Sequence, residues 1–498
     1  MKKFGYLFFS VIFCIFCTFS LAGCGTSELE KASKNLTCYA ISAELSDDMK
    51  ISACEKITYI NSTGEKLDYI CLHLYARAFR DGAIVKPYTS LNAATCFPNG
   101  ISYGDIEITG VSVNGESKTF ELVGEDEDVL KIAFGFSLDK NKSILIDIDF
   151  NLTIPNSTHR LGYFKDNINL GNWYPVICKF EGGKFDTTPY YSTGDPFYSD
   201  IANYNVKFKF PKKYILSSTG EIILSENADK TSVEINAKAV RDFAMCLSSN
   251  ACVLTEKVGD TKVYYMGYGD DKNAAKYMEL AKNAVAFFNK TFGKYPYSTL
   301  TIAKTPFVFG GMEYPNIVFV SDSVVDEKEY IKVIVHEIAH QWWYGLVGNN
   351  EISEAWLDES ISEFSTVLFF EEYSSYGLSY KELIENAISS YQLYVDVIET
   401  IKGEVNTKMN LKINEYQNDY EYSYMVYVKG IIMFDSLKTI VGEQKVIAGL
   451  KKYYQDNKFK IATKADFYKA FKSACHKDLE GFFEGYLNGT TIISAITN

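Results

Sequence analysis

Histidine is scarce in this chain, five in 498 residues, so any place where two fall close together stands out. Positive charge is in deficit as well. Lys and Arg number 50 against 63 Asp and Glu, a formal net charge of -13. Such a surface repels polyanions and argues against nucleic acid as a partner. Beyond residue 20 no run is long and apolar enough to cross a bilayer, which excludes a polytopic transporter. No Cys-x-x-Cys pair follows Cys24, so a cysteine-held zinc has no support. Internal repeats and low-complexity tracts are also missing. What is there is an ordinary globular balance, 47% hydrophobic and 23% charged residues. The length exceeds one ordinary core, so two or three domains are expected.

The first residues bear on the compartment. Lys2 and Lys3 precede an apolar stretch over residues 4–20, then Leu21-Ala22-Gly23-Cys24 and a polar segment. This layout predicts a signal peptide over residues 1–23. Small residues ahead of a cysteine resemble a bacterial lipobox, which implies that Cys24 is acylated. An uncleaved helical anchor is the alternative. Residues 24–36 read as a polar tether. Either way the body is expected outside the cytosol, held at the outer face of the cell membrane. The remaining cysteines are irregularly spaced, and either disulfides or buried free thiols fit them. The run Glu125-Asp126-Glu127-Asp128 reads as a solvated turn, with a calcium site as the alternative.

From residue 37 to 254 the pattern is strand-like. Period-two alternation shows in Asp105-Ile106-Glu107-Ile108-Thr109, in residues 143–150 and in residues 204–210, with Gly, Asn, Asp and Pro turns between such stretches. An antiparallel β domain is expected there. From 255 to 498 the chain changes character. Helical spacing runs from Asn273 to Phe292, two short strand candidates follow, and helices dominate after residue 327. The fold class is therefore multidomain α+β: a β-sandwich-like N-terminal domain and a mostly helical second domain.

Two of the five histidines fall in His336-Glu337-Ile338-Ala339-His340. No Gly or Pro interrupts residues 328–344, so the segment is predicted to be helical. Positions i and i+4 share one helix face, and both imidazoles can reach one ion. Glu337 between them can hold a metal-bound water. Catalytic zinc takes three protein ligands and leaves a position for water. His73, His159 and His476 are remote in sequence. Glu359 lies on a second helical segment, Trp356-Leu357-Asp358-Glu359-Ser360, that can pack antiparallel to the first. Glu363 is one turn further on, and spacing alone leaves it open.

These residues resemble the aminopeptidase N family of zinc metallopeptidases. The His-Glu-x-x-His motif is followed by a Glu nineteen residues after the second His, and Trp356-Leu357-Asp358-Glu359-Ser360 is similar to the family's Trp-Leu-Asn-Glu-Gly. The resemblance implies a thermolysin-like catalytic domain, one Zn2+ held by His336, His340 and Glu359, and Glu337 as general base. Gly310-Gly311-Met312-Glu313-Tyr314-Pro315 resembles the family's Gly-Ala-Met-Glu-Asn. By that likeness Glu313 anchors the substrate amine, with Gly311 and Met312 in the same substrate-binding segment. Tyr427-Val428-Lys429-Gly430 matches a Tyr-x-Lys-Gly whose Tyr stabilises the oxyanion. Asn172-Trp173-Tyr174-Pro175 and Gly194-Asp195-Pro196-Phe197-Tyr198 are similar to the family's N-terminal β domain. Asp478-Leu479-Glu480-Gly481-Phe482-Phe483 resembles the end of its catalytic domain. The large helical C-terminal domain of longer members is therefore expected to be absent and the site correspondingly open.

The function so implied is removal of N-terminal residues from peptides with a free N-terminus. Two other readings are an endopeptidase on the same scaffold and a non-catalytic peptide- or protein-binding surface lipoprotein.

Overall fold

The alternating segments form three sheets. In the computed structural model, which describes residues 27–226 and 230–493, the largest has eight strands. Its order is Glu221–Glu226, Lys230–Val240, Ala202–Pro211, Cys38–Leu45, Lys50–Ile60, Ser143–Thr153, Asp105–Val113 and Glu116–Ser117. The strand Ser143–Thr153 shows why: Ile144, Ile146, Ile148, Phe150 and Leu152 are buried while the residues between them face out or lie at the margin. Ile57 and Ile146 sit directly opposite each other on the inner face. Two four-stranded sheets, one built around Leu67–His73 and Val129–Leu138 and one around Asn167–Leu170 and Met245–Ser248, bury their own apolar rows in the same core. Among the described residues of this β unit the pairing of Cys38–Leu45 with Ala202–Pro211 is parallel, a departure from the purely antiparallel expectation.

After a two-stranded fourth sheet, Phe180–Glu181 with Lys184–Phe185, a fifth, mixed sheet begins the second unit, in the order Ala251–Val258, Thr261–Tyr268, Thr299–Thr305, Ile317–Ser321, Gly311–Met312. The helix Ala274–Thr291 makes the crossover between the parallel strands Thr261–Tyr268 and Thr299–Thr305. The edge strand Gly311–Met312 runs antiparallel to Ile317–Ser321. Helices Glu327–Ala339 and Trp356–Glu372 pack against each other, and Glu327–Ala339 also lies on this sheet. Further helices, Tyr380–Lys402, Lys429–Val441, Glu443–Asn457, Lys464–Cys475 and Glu480–Leu487, complete the unit.

Several expectations change at this level. The strand Ala251–Val258 belongs to the fifth sheet, so a division at residues 254 and 255 would cut a strand; the sheets part at the turn before Ala251. Residues 28–32 are not free tether. They form one helical turn capped by Ser27, with Glu28 paired to Lys458 and Glu30 to Lys238. The signal segment and Cys24 lie outside the described residues. The acidic run is a turn only half solvated, with Glu125 and Glu127 exposed. Asp126 and Asp128 are buried, and the Asp126 carboxylate accepts from Arg80 and from the backbone N–H groups of Ile84 and Val85. Those donors occupy both oxygens of Asp126 and withdraw them from any calcium site. All eight described cysteines are free, and Cys71, Cys96, Cys178, Cys246 and Cys475 are buried. No described helix is long and apolar enough to cross a membrane.

The two units meet over a buried cation. Arg241 donates from Nε to the Tyr344 carbonyl at 3.0 Å, from Nη1 to Ser199 at 3.1 Å and from Nη2 to Lys460 at 2.9 Å. Gly348 leaves room for it, because a Cβ there would run into the guanidinium. Arg241→Met strands three carbonyls at the seam, those of Tyr344 and Ser199 in buried contacts, and should lower stability by about 3 kcal/mol. Chemical denaturation of the purified protein reads this directly. A midpoint unchanged from the parent would show that the seam does not depend on Arg241.

Candidate active site

The helix Glu327–Ala339 starts on Asp326, whose side chain accepts from the Glu329 N–H at 3.0 Å. It ends at His340 and not at residue 344 as the uninterrupted sequence suggests. The chain bends there so that the Trp343 carbonyl faces His340 Nδ1 at 3.0 Å. With Nδ1–H donating to that carbonyl, the tautomer is fixed and the Nε2 lone pair is left free for a metal. His336 Nε2 lies 3.0 Å from His340 Nε2. Glu359 Oε2 lies 3.3 Å from the first and 3.2 Å from the second. Ligands about 2.0–2.1 Å from a tetrahedral zinc stand roughly 3.3 Å apart, so the three donors fit one zinc with little adjustment. Two imidazole lone pairs facing each other at that distance in a buried site are otherwise repulsive.

Glu363 resolves the ambiguity left by spacing. Its Oε1 faces the other nitrogen of His336, Nδ1, at 3.4 Å, and its Oε2 faces Lys332 Nζ at 3.4 Å. It therefore supports the ligand rather than joining the donor set. His73 is buried and stacked on Tyr75, His159 Nε2 lies 2.8 Å from the Pro87 carbonyl, and His476 is exposed. None of them reaches the cluster.

Glu337 lines the same cleft as the two histidines and lies against the edge strand Gly311–Met312. A Cβ on Gly311 would fall on the Glu337 carboxylate, so glycine is required there for close approach. Glu313 follows on the same strand direction and is buried, with Oε1 lacking any hydrogen-bond partner. Burial pushes the pKa of both Glu313 and Glu337 well above the usual carboxylate range. Met312 lies apart from the cleft. It is fully buried and its Sδ accepts from Arg160 Nε at 3.0 Å.

Tyr427 lies in a π-helical turn, Ser423–Val428, ahead of the helix Lys429–Val441. Its hydroxyl donates to Glu359 Oε1, and its ring stacks near His336 with centroids 5.9 Å apart. The two substitutions in the Glu359 motif have local explanations. Ser360 Oγ donates to the Val426 carbonyl of the π turn at 2.6 Å, and Gly430 permits the close contact because a Cβ there would strike Ser360. Asp358 accepts from Asn349 Nδ2 at 2.9 Å. Lys429 is buried and its Nζ donates to the Thr407 and Tyr486 carbonyls, which fixes the segments around the turn.

These groups line a cleft of about 480 Å³ that also includes Arg160, Asp195, Phe309, Asp419 and Tyr422. Asp195 comes from the β unit and is clamped by Arg160. Oxygens of Asp195, Glu313 and Glu359 lie within 4.8 Å of one another. At an effective dielectric of ~20, each such pair of charges repels by about 3.5 kcal/mol. The cleft therefore favours cations, and burial of His340 is overcome by Glu313, Glu359 and Glu337, which draw its pKa up. Sequence reasoning missed Arg160, which carries no local signature, and took Asp195 only as part of a β-domain motif and not as a site residue. Glu363 had one, its four-residue spacing from Glu359.

Two histidines and a glutamate converging beside a helix-borne glutamate define a zinc metallopeptidase site. Comparison with known proteins agrees. Residues 276–486 match the peptidase family M1 domain. Leukotriene A-4 hydrolase of Xenopus laevis is 26% identical over 413 residues, 75% of this chain and 62% of that protein. Aminopeptidase N of Lactobacillus helveticus is 23% identical over 78% of this chain and 47% of its own length. The chain thus spans about half to three-fifths of these relatives. An M1 zinc metallopeptidase from Deinococcus radiodurans has the same fold, with a TM-score of 0.64 at 13% identity, covering 93% of this chain and 95% of that one. A mutant of that protein is known bound to the substrate Tyr-Ser-Ala. Residues 276–486 thus resemble the peptidase family M1 domain, and that family implies the zinc that the donor set fits.

The geometry separates ligand from support. Glu359→Ala should abolish stoichiometric zinc after dialysis, read by elemental analysis. Glu363→Gln should retain zinc with affinity lowered about 10–100-fold. The reverse pattern would make Glu363 the ligand.

Proposed function

We propose that this protein is a zinc-dependent aminopeptidase that removes the first residue of peptides with a free N-terminus. The observation that carries this reading is Glu313, a buried carboxylate with an unpartnered oxygen in the cleft beside the metal donors. A buried anion without a partner is costly, and a substrate ammonium offsets that cost. The peptide-bound form of the Deinococcus radiodurans neighbour supports a peptide as the ligand class.

When bound, zinc supplies Lewis acidity, polarising a carbonyl and bringing a water pKa to about 7. The residues do the rest. His336, His340 and Glu359 would hold the ion. Glu337, pressed against Gly311, accepts the proton of the attacking water and passes it to the leaving amine. Tyr427 moves its hydroxyl hydrogen bond from Glu359 to the oxygen that gains charge in the transition state. Glu313 takes the α-ammonium, which sets cleavage after the first residue. The buried site strengthens each of these electrostatic contacts.

The same reading keeps the body anchored through an acylated Cys24 at the outer face of the cell membrane, on the strength of the leader sequence. Mass analysis of the mature N-terminus tests it, and an unmodified or intact leader would contradict it.

The activity is tested on residues 25–498 with aminoacyl amides and their N-acetyl partners, with chelator and with zinc restored. Chelator-sensitive hydrolysis of the free-amine set alone is expected. Cleavage of acetylated substrates would indicate an endopeptidase, and zinc binding without any hydrolysis would favour a binding protein. Glu337→Gln should keep zinc and lose about 10²–10⁴-fold or more in kcat. Tyr427→Phe should lose about 10²–10³-fold in kcat with little change in KM. A wild-type kcat in either variant removes that residue from the mechanism.

A further inference from the structure

Among the described residues no side chain hydrogen-bonds the buried Oε1 of Glu313, so its backbone must hold the carboxylate in place. Successive residues of an extended strand face opposite ways. Gly311 and Glu313 face the cleft, while Met312 and Tyr314 face the β unit and are fully buried. Met312 meets Arg160, as described above. The Tyr314 hydroxyl donates to Asn172 Oδ1 at 2.7 Å. Gly171 makes that approach possible, because a Cβ there would run into the hydroxyl. Asn172 adopts a left-handed backbone, φ 51°, and its Nδ2 faces Asp242 Oδ1 at 3.5 Å, which turns Oδ1 toward Tyr314. Asp242 in turn accepts from the Tyr344 hydroxyl at 2.5 Å. From the other side Gln341, next to the metal ligand His340, donates to the Glu313 and Tyr314 carbonyls at 3.3 and 3.2 Å. The Glu313-Tyr314 segment is thus gripped between the histidine helix and the β unit. Tyr314 stands where the resembling motif has asparagine, and the contact with Asn172 accounts for it.

We propose that Asn172 of the β unit is a positioning residue for the amine anchor, acting through the Tyr314 hydroxyl to hold Glu313 in the cleft. This rests on the reading of Glu313 as the ammonium site. Loss of one such hydrogen bond should displace the carboxylate slightly and weaken amine binding, leaving the metal donors and Glu337 in place.

A double-mutant cycle tests it. In the zinc-loaded enzyme, Tyr314→Phe removes one oxygen and should raise KM for aminoacyl amides about 3- to 10-fold, with kcat within about twofold. Zinc content should be unchanged. Glu313→Gln should raise KM further, and Tyr314→Phe added to it should have no further effect. Asn172→Ala should reproduce Tyr314→Phe. If Asn172→Ala does not fold, the Tyr314 and Glu313 cycle decides alone. An unchanged KM in Tyr314→Phe, or an equal KM increase with and without Glu313→Gln, overturns the proposal. If Glu313→Gln itself leaves KM unchanged, the ammonium reading fails first, and the two failures are distinct.

Discussion

Buried negative charge is the constraint around which the rest of the structure is arranged. Glu313, Glu337, Glu359, Glu363 and Asp195 all line one cleft, and all are largely removed from water. Desolvated carboxylates at these separations cannot all stay ionised without cations among them. Arg160 answers Asp195 and Lys332 answers Glu363. The donor atoms of His336, His340 and Glu359 converge at zinc-like separations, which answers a third charge. Glu313 and Glu337 remain: Glu337 is the proposed proton acceptor, and a peptide ammonium is the cation proposed for Glu313. The electrostatics and the proposed reaction are in this sense one arrangement.

That arrangement needs both units of the fold. The helix Glu327–Ala339 delivers the two imidazoles and Glu337, and Trp356–Glu372 delivers Glu359 and Glu363. The edge strand Gly311–Met312 and Glu313 beyond it form the opposing wall, and that wall leans on Arg160 and Asn172 of the β unit. Close packing at glycine is what lets these parts meet: Gly311 against Glu337, Gly430 against Ser360, Gly171 against Tyr314. The β unit contributes charge and position to the cleft as well as its own core.

Much of this was legible from residues alone, and the reason differs from case to case. His336, Glu337 and His340 are a local pattern on one helix face, and the strands 143–153 and 202–211 are local alternations, so each could be read without tertiary knowledge. Glu313 and Tyr427 were legible only through motif resemblance, since one acid among 63 or one tyrosine among 37 carries no signal of its own. Spacing alone left Glu363 beside Glu359 and the resemblance favoured Glu359; the packing of two helices gives the physical reason, putting one carboxylate at Nε2 and the other at Nδ1 of His336. Arg160, Asn172 and Asp195 were not legible as site residues because they act across the seam between units. The burial of Asp126 was missed because its partners, Arg80 and the Ile84 and Val85 amides, lie some forty positions away within the β unit.

The most direct test of the central claim is a crystal structure of the zinc-loaded protein with a free amino acid bound. The account predicts zinc on His336 Nε2, His340 Nε2 and Glu359, with the ligand's ammonium on Glu313. A metal held instead by the Asp195 and Glu313 carboxylates, or an ammonium placed away from Glu313, would contradict it.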